Sequence, residues 1–330
     1  MINYKLIFRN VFYVLLLLTA FFSASYAQQS VKQYSSYFSV VQYQGKKLFT
    51  LRNFMRGSKP QFLVVDPVTL LTSVIPADNL RARALTWAEA LNEFKQQPYA
   101  KASEAARQQS IALQDAGITH GFPKERGVTL TIDLCPSHKP LDRIIFTTLI
   151  SAFKQIEKPV PVALSVTGRW MLTHEEDLEW LKGLVKSGDL EITWTNHTYN
   201  HHFSPTAPLK TNFLLEPGTD LNFEILGTEV AMLQHGLTPS VFFRFPGLVS
   251  DQQVVDEVLS YGLIPVGSDA WLAKGQQPNS GSIVLIHGNG NEPVGVKDFI
   301  SLLKNKQSFI TGKQWLMYDL SESVEDEFGQ

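Results

Sequence analysis

The stretch that decides the fold is "VTLTIDLCPSHKPLDRIIFTTLISAFKQIEKPVPVALSVTG", residues 128–168. "VTLTID" alternates apolar and polar side chains, as the two faces of a strand do. "LDRIIFTTLISAFKQIE" then shifts to helical spacing, and "PVPVALSVTG" alternates again. This is a strand–helix–strand unit, and the same rhythm continues downstream. "THEEDLEWLKGLVKSG" reads as a helix with Thr173 and Glu176 as a capping box and Gly188 as its stop. "LEITWTNH" is a strand, "NFEILGTEVAMLQHG" a helix and "SVFFRFPG" a strand. "SDQQVVDEVLSYG" is a helix with Ser250 and Gln253 as a second capping box. "LIPVGSD" and "SIVLIHG" are strands, and "VKDFISLLK" is a short helix. Alternating strands and helices predict βα units and a parallel sheet.

Upstream the texture differs. "YFSVVQYQGKKLFTLRNF" and "PQFLVVDPVTLLTSVIP" read as short strands joined by Gly and Pro turns, and "TWAEALNEFKQQ" and "KASEAARQQSIALQDAG" as helices. Residues 28–120 are therefore expected to form a mixed α+β extension ahead of a domain over 121–330. At the start, Lys5 and Arg9 precede an apolar run ending at Phe22, and Ser25-Tyr26-Ala27 offers small residues for cleavage. That pattern predicts a secretory signal over residues 1–27 and a secreted or periplasmic mature protein with no transmembrane segment. An uncleaved anchor is the alternative, although the run is shorter than the roughly 20 apolar residues that span a bilayer.

The chain has 330 residues, 44% of them hydrophobic, which is enough for one large core. A net charge of −2 and the lack of a polybasic stretch argue against nucleic acid as a partner. Cys135 is the sole cysteine, so no intrachain disulfide can form.

In a parallel sheet the C-terminal strand ends share one rim, where active sites sit. Here the predicted ends carry Asp133, Asn196 with His197, Arg244, Asp269 and His287. "NHTYNHH", residues 196–202, holds three of the eight histidines. His197 and His201 lie four apart, so on a helical turn they share a face and can bind one ion. Asp133 and His287 have the chemistry of a base and an acid. Asp269 beside the histidine would keep it protonated, and Arg244 could hold a carboxylate by a bidentate bond.

These residues, in this order, resemble the NodB-like polysaccharide deacetylases of carbohydrate esterase family four, over roughly residues 121–310. "TIDLCPS" is similar to the family's Thr-Phe-Asp-Asp-Gly-Pro-Ser, and "NHTYNH" matches its metal-binding histidine motif. "FRFPG" is similar to Arg-Pro-Pro-Tyr-Gly, "SDAW" to an Asp and Trp pair, and "LIH" to Leu-x-His. The resemblance implies a distorted parallel (β/α) barrel. It also implies a hydrolase that removes N-acetyl groups from amino sugars of an envelope or extracellular polysaccharide, peptidoglycan or chitin-like. Carried over by residue, Asp133 is the base, His287 the acid, Arg244 orients the base and Asp269 tunes the acid. His197 and His201 bind a divalent metal, Zn2+ by donor type, and Trp271 and Leu285 wall the acetyl pocket.

Leu134 stands where the family has its second aspartate, a metal ligand, and Phe245 and Gly247 replace a proline and an aromatic residue of the third motif. Candidates for the third ligand are Asp133, Cys135, a loop residue such as His138 or Asp142, and water. The resemblance further implies that Leu134→Asp tightens metal binding. The alternative to an enzyme is a catalytically inactive carbohydrate-binding relative that has kept the cleft and lost the metal.

Overall fold

The computed structural model describes residues 30–110, 112–123 and 126–328. The predicted signal over residues 1–27 lies outside them. Among the described residues, thirteen strands form two sheets. β1 (Val31–Tyr43), β2 (Lys46–Arg56), β3 (Lys59–Val65), β4 (Thr72–Pro76) and β5 (Ala82–Ala84) make an antiparallel sheet in the order β4-β3-β2-β1-β5. Short helices Trp87–Glu93 and Pro98–Gln109 follow it. The Trp87–Glu93 helix has a full capping box between Thr86 and Glu89, which satisfies N–H groups that the first turn leaves unpaired.

The second sheet contains β6 (Gly127–Leu134), β7 (Val160–Val166), β8 (Leu190–Asn196), β9 (Phe242–Phe243), β10 (Ile264–Pro265), β11 (Ala270–Trp271), β12 (Ile283–His287) and β13 (Leu316–Met317). Its order is β10-β9-β8-β7-β6-β12-β11, with β13 also paired to β6. Every pairing in it is parallel, and the end strands β10 and β11 do not pair with each other. The result is an open (β/α) barrel with the expected N-terminal α+β extension.

Alternation along the strands decides what faces the interior. Val128, Leu130, Ile132 and Leu134 of β6 lie in one apolar cluster with Ile145, Phe146 and Leu149 of helix Arg143–Phe153 and Phe299 and Leu303 of helix Pro293–Thr311. Thr129, Thr131 and Asp133 point the other way, because successive side chains alternate. On β12, Val284 and Ile286 join the same outer cluster, whereas Ile283, Leu285 and His287 face inward. The N-terminal segment closes the inner side. Phe49, Leu51 and Tyr99 share a core with Ala163, Phe242, Ile264 and Ile283. A fully buried ion pair adds to this seam: Arg52 Nε and Nη2 donate to Glu229 Oε2 and Oε1 at 2.8 and 2.9 Å.

Several local expectations are corrected. The helix Glu175–Lys186 starts without a side-chain cap, since Thr173 Oγ1 instead donates back to Arg169 O. Three acidic residues in its first turn still oppose the helix dipole. Asp251, rather than Ser250, caps Gln252–Ser260, accepting from Val254 N at 2.9 Å. The segment foreseen as one helix before His235 is helical throughout, but its first part, Phe223–Gly227, is a π-turn that runs directly into helix Thr228–Gln234. The short helix expected near Val296 runs for 19 residues, Pro293–Thr311, with Pro293 in its first turn, where a missing N–H costs nothing.

Candidate active site and metal centre

Strand register carries the chemistry to one rim. His287 and Asp133 are partners in the β12–β6 ladder, and Asp133 is partnered with Ser165 on β7. Partnered residues of parallel strands project to the same side, so Asp133 and His287 share one face at the strand ends. His197 follows β8 and Arg244 follows β9. The mouth opens into a cleft of about 920 Å³ lined by Cys135, His201, Phe203, Trp271, His287 and Glu292, among others.

His197 and His201 do converge, with ring centroids 4.8 Å apart. The expected helical turn is absent, however. Thr198 and His201 adopt left-handed backbone conformations, with φ of 69° and 48°, and the residues between the histidines form a loop. That loop is held from beneath. Glu224, buried in the π-turn, accepts from Tyr199 N at 2.9 Å, Asn200 N at 2.8 Å and Asn200 Nδ2 at 2.7 Å. Asn196 adds bonds to Thr198 N and Ile225 O. Gly168 is needed against this loop, because a Cβ there would sit 2.2 Å from the Tyr199 ring.

The ligand atoms of Cys135, His197 and His201 all lie within 4.8 Å of one another. Cys135 Sγ is 3.6 Å from His197 Nε2, and Asp133 Oδ2 is 3.7 Å from the same nitrogen. His197 Nδ1 pairs with the Arg244 carbonyl oxygen at 2.9 Å, which assigns the proton to Nδ1 and leaves Nε2 facing the cluster. His201 Nε2 is buried with no hydrogen-bond partner, and so is Asp133 Oδ1. Unpartnered buried polar atoms are costly unless something else satisfies them. Two imidazoles, a thiol and orphaned acceptors therefore fit a divalent cation with affinity for nitrogen and sulfur.

Burial would raise the Asp133 pKa, but His197, Arg244 and His287 outweigh it and hold the carboxyl below its ordinary value. His287 is opposite in sense. Burial disfavours its charge, yet hydrogen bonds with Cys135 and Glu292, and the nearby Cys135 and Asp133 charges, push its pKa well above the usual histidine range.

Asp269 is not the residue that does this. It precedes β11, at the opposite end of the strands, where its carboxylate pairs with His120 Nδ1 at 2.7 Å and accepts from Ile283 N at 3.1 Å. Glu292 takes the role instead: its Oε2 lies 2.8 Å from His287 Nδ1 and accepts from Trp271 Nε1 at 2.8 Å. Neither Glu224 nor Glu292 was foreseen. A carboxylate in the loop just after a strand-end histidine, as in "HGNGNE", was the available signal for the second.

Arg244 is fully buried, but no bidentate bond to Asp133 forms. Nη2 donates to Thr131 Oγ1 at 2.9 Å, and Nε and Nη1 have no partner. Its influence on Asp133 is through charge alone. Trp271 lines the cleft, while Leu285 packs with Trp271 and Leu248 in a small cluster. Leu134 is wholly buried in the outer helix-facing core, pointing away from the site. His202 is exposed and pairs with Glu216. Gly247 has φ +60°, and a Cβ there would meet the Phe213 ring at 2.6 Å. Phe213 thus occupies the space beside that residue and also packs edge-on against His201.

The family described as RP012 protein N-terminal domain matches residues 32–100, the antiparallel sheet and the start of the second helix. Among solved structures, a family 4 carbohydrate esterase from Bacillus anthracis is similar at 16% identity, with 68% of this chain and 91% of that one covered and a TM-score of 0.48. A family 4 pseudoenzyme from Bacillus anthracis is similar at 17% identity, covering 64% and 70%, with a TM-score of 0.43. A family 4 carbohydrate esterase from Bacillus subtilis is similar at 15% identity, covering 74% and 92%, with a TM-score of 0.44.

Proposed function

We propose that the protein is a metal-dependent hydrolase that removes N-acetyl groups from amino sugars of an envelope or extracellular polysaccharide, exported by its N-terminal signal. The observation that carries this is the ladder pairing of Asp133 with His287, both beside a two-histidine ion site at the mouth of one cleft. His197 and His201 would hold a divalent ion, with zinc the best match to the donor set. Such an ion supplies Lewis-acid polarisation of a carbonyl and acidifies water.

The protein's own groups then divide the proton work. Asp133, whose carboxyl is held below its ordinary value, takes a proton from the attacking water. His287 donates Nδ1–H to Glu292, which leaves Nε2–H to protonate the leaving amine nitrogen. A C–O bond forms, the amide C–N bond breaks, and acetate and a free amino sugar leave. Trp271, fixed by the same carboxylate that orients His287, walls the cleft on the acid's side. Residues 121–330 carry this chemistry, and residues 28–120 brace them.

Acetate release from chitin oligomers and peptidoglycan by zinc-loaded protein is the test, with Asp133→Asn and His287→Ala expected to lose turnover while keeping metal. Undiminished release by either variant would refute the assignment. Leu134 gives a specific reason to carry a second reading, an inactive carbohydrate-binding protein, since it leaves the site one carboxylate short of the family pattern. That reading predicts affinity for the same oligomers without acetate.

A further inference from the structure

We infer that Cys135 replaces the missing carboxylate, supplying a thiolate as the third protein ligand of a Cys-His-His centre that selects a thiophilic ion. The inference deepens the hydrolase reading and rests on it only for the presence of an ion.

Strand alternation gives the first reason. Leu134, the last residue of β6, lies in the outer core, while its neighbours on either side, Asp133 and Cys135, both approach His197 Nε2, and Cys135 lines the cleft. An aspartate at 134 would have to leave that core to reach the histidines, whereas the thiol at 135 is already among them. Distance is the second reason. Bonds of about 2.3 Å to sulfur and about 2.05 Å to nitrogen at a tetrahedral angle place the two donor atoms roughly 3.6 Å apart. Cys135 Sγ and His197 Nε2 are separated by 3.6 Å. The third reason is the donor left over. His201 Nε2 is buried without a hydrogen-bond partner, and His201 offers a ring nitrogen within 4.8 Å of both other ligand atoms.

Two consequences follow. Asp133 is released from ligation and can act as a base, which removes the conflict of one carboxylate filling two roles. A sulfur donor also tilts selection towards Zn2+ and Co2+ and away from Mg2+ and Mn2+, which prefer all-oxygen sites.

The test uses the full chain, stripped by chelator and reloaded with Co2+ or Zn2+. Wild-type cobalt protein should show the near-ultraviolet charge-transfer absorption of a thiolate–cobalt bond. Cys135→Ser should abolish it and weaken zinc at least about tenfold in competition with a chromophoric chelator, while Asp133→Asn keeps it. The wild-type spectrum needs no variant to fold, so misfolding of Cys135→Ser leaves the inference falsifiable. A wild-type cobalt spectrum without that band, or unchanged zinc affinity in a folded Cys135→Ser protein, overturns it. If the band is absent yet His201→Ala still loses zinc, the metal reading stands and the third donor is not sulfur. If the band is present and no acetate is released from any substrate, the ligand assignment stands and the hydrolase reading falls.

Discussion

Removing one half of the Arg52–Glu229 pair tests whether the N-terminal sheet and the barrel fold as one unit. Both side chains have no solvent exposure, and the pair joins residues 177 positions apart. Arg52 Nη1 also donates to Leu51 O at 2.9 Å and Tyr261 O at 2.6 Å, and Tyr34 Oη donates to Glu229 Oε2 at 2.8 Å. In Arg52→Met the Glu229 carboxylate stays buried with Tyr34 as its main donor, which should cost about 3–5 kcal/mol. Against a total stability of about 5–15 kcal/mol, that is a large share. The double variant Arg52→Met/Glu229→Leu removes both charges, leaving only neutral groups (Tyr34 Oη and the Leu51 and Tyr261 carbonyls) without these partners, and should recover about 2 kcal/mol or more of the loss. Guanidinium titration followed by tryptophan fluorescence measures all three. Glu229 lies on the helix that directly follows the π-turn bearing Glu224, so Arg52→Met should also weaken zinc retention through the loop at residues 199–200. A loss below about 1 kcal/mol, typical of an exposed pair, would refute the bracing argument. So would a double variant no more stable than the single one.

Glu292→Gln keeps the shape of the acid's support and removes its charge, so it should lower kcat about 10–100-fold with little change in KM; an unchanged kcat would leave Glu292 without a part in turnover. Leu134→Asp, expected from the family resemblance to tighten metal binding, should instead destabilise the fold by several kcal/mol, because it places a carboxylate in the helix-facing core. A stable variant with tighter zinc would contradict that placement. Glu157 offers a pH test: burial raises its carboxyl from 4.5 to about 7 in the folded chain. The folded state then holds a proton that the unfolded state has lost across that window, so the stability this group contributes is full below about 4.5 and is lost as pH rises through about 7. Glu157→Gln should flatten this fall in Tm; a parallel curve would assign the slope to other groups.

The barrel was legible because β6 alternates between an apolar outer face and a polar inner one, and strands and helices alternate downstream of it. The placement of Asp133, His197 and His287 at one rim was legible for the same reason, since each lies at or just beyond the C-terminal end of its strand. Asp269 went wrong where strands are shortest. β11 has two residues, too few to show by periodicity whether an aspartate enters or leaves it, and it enters. The histidine pair was right in spacing and wrong in cause: sequence offers a helix as the ordinary way to bring i and i+4 together, whereas two left-handed residues and the Glu224 carboxylate do so here. Glu224, Glu292 and Arg52 share one property that hides them. Each acts on a partner fixed by tertiary packing, and a lone charged residue in a sequence gives no sign of which buried donor it will meet. The same logic underlies the proposed metal site, from which Leu134 faces away. A ligand is defined by the face it presents, so the next residue on the inward side, Cys135, is positioned to take the place that Leu134 cannot.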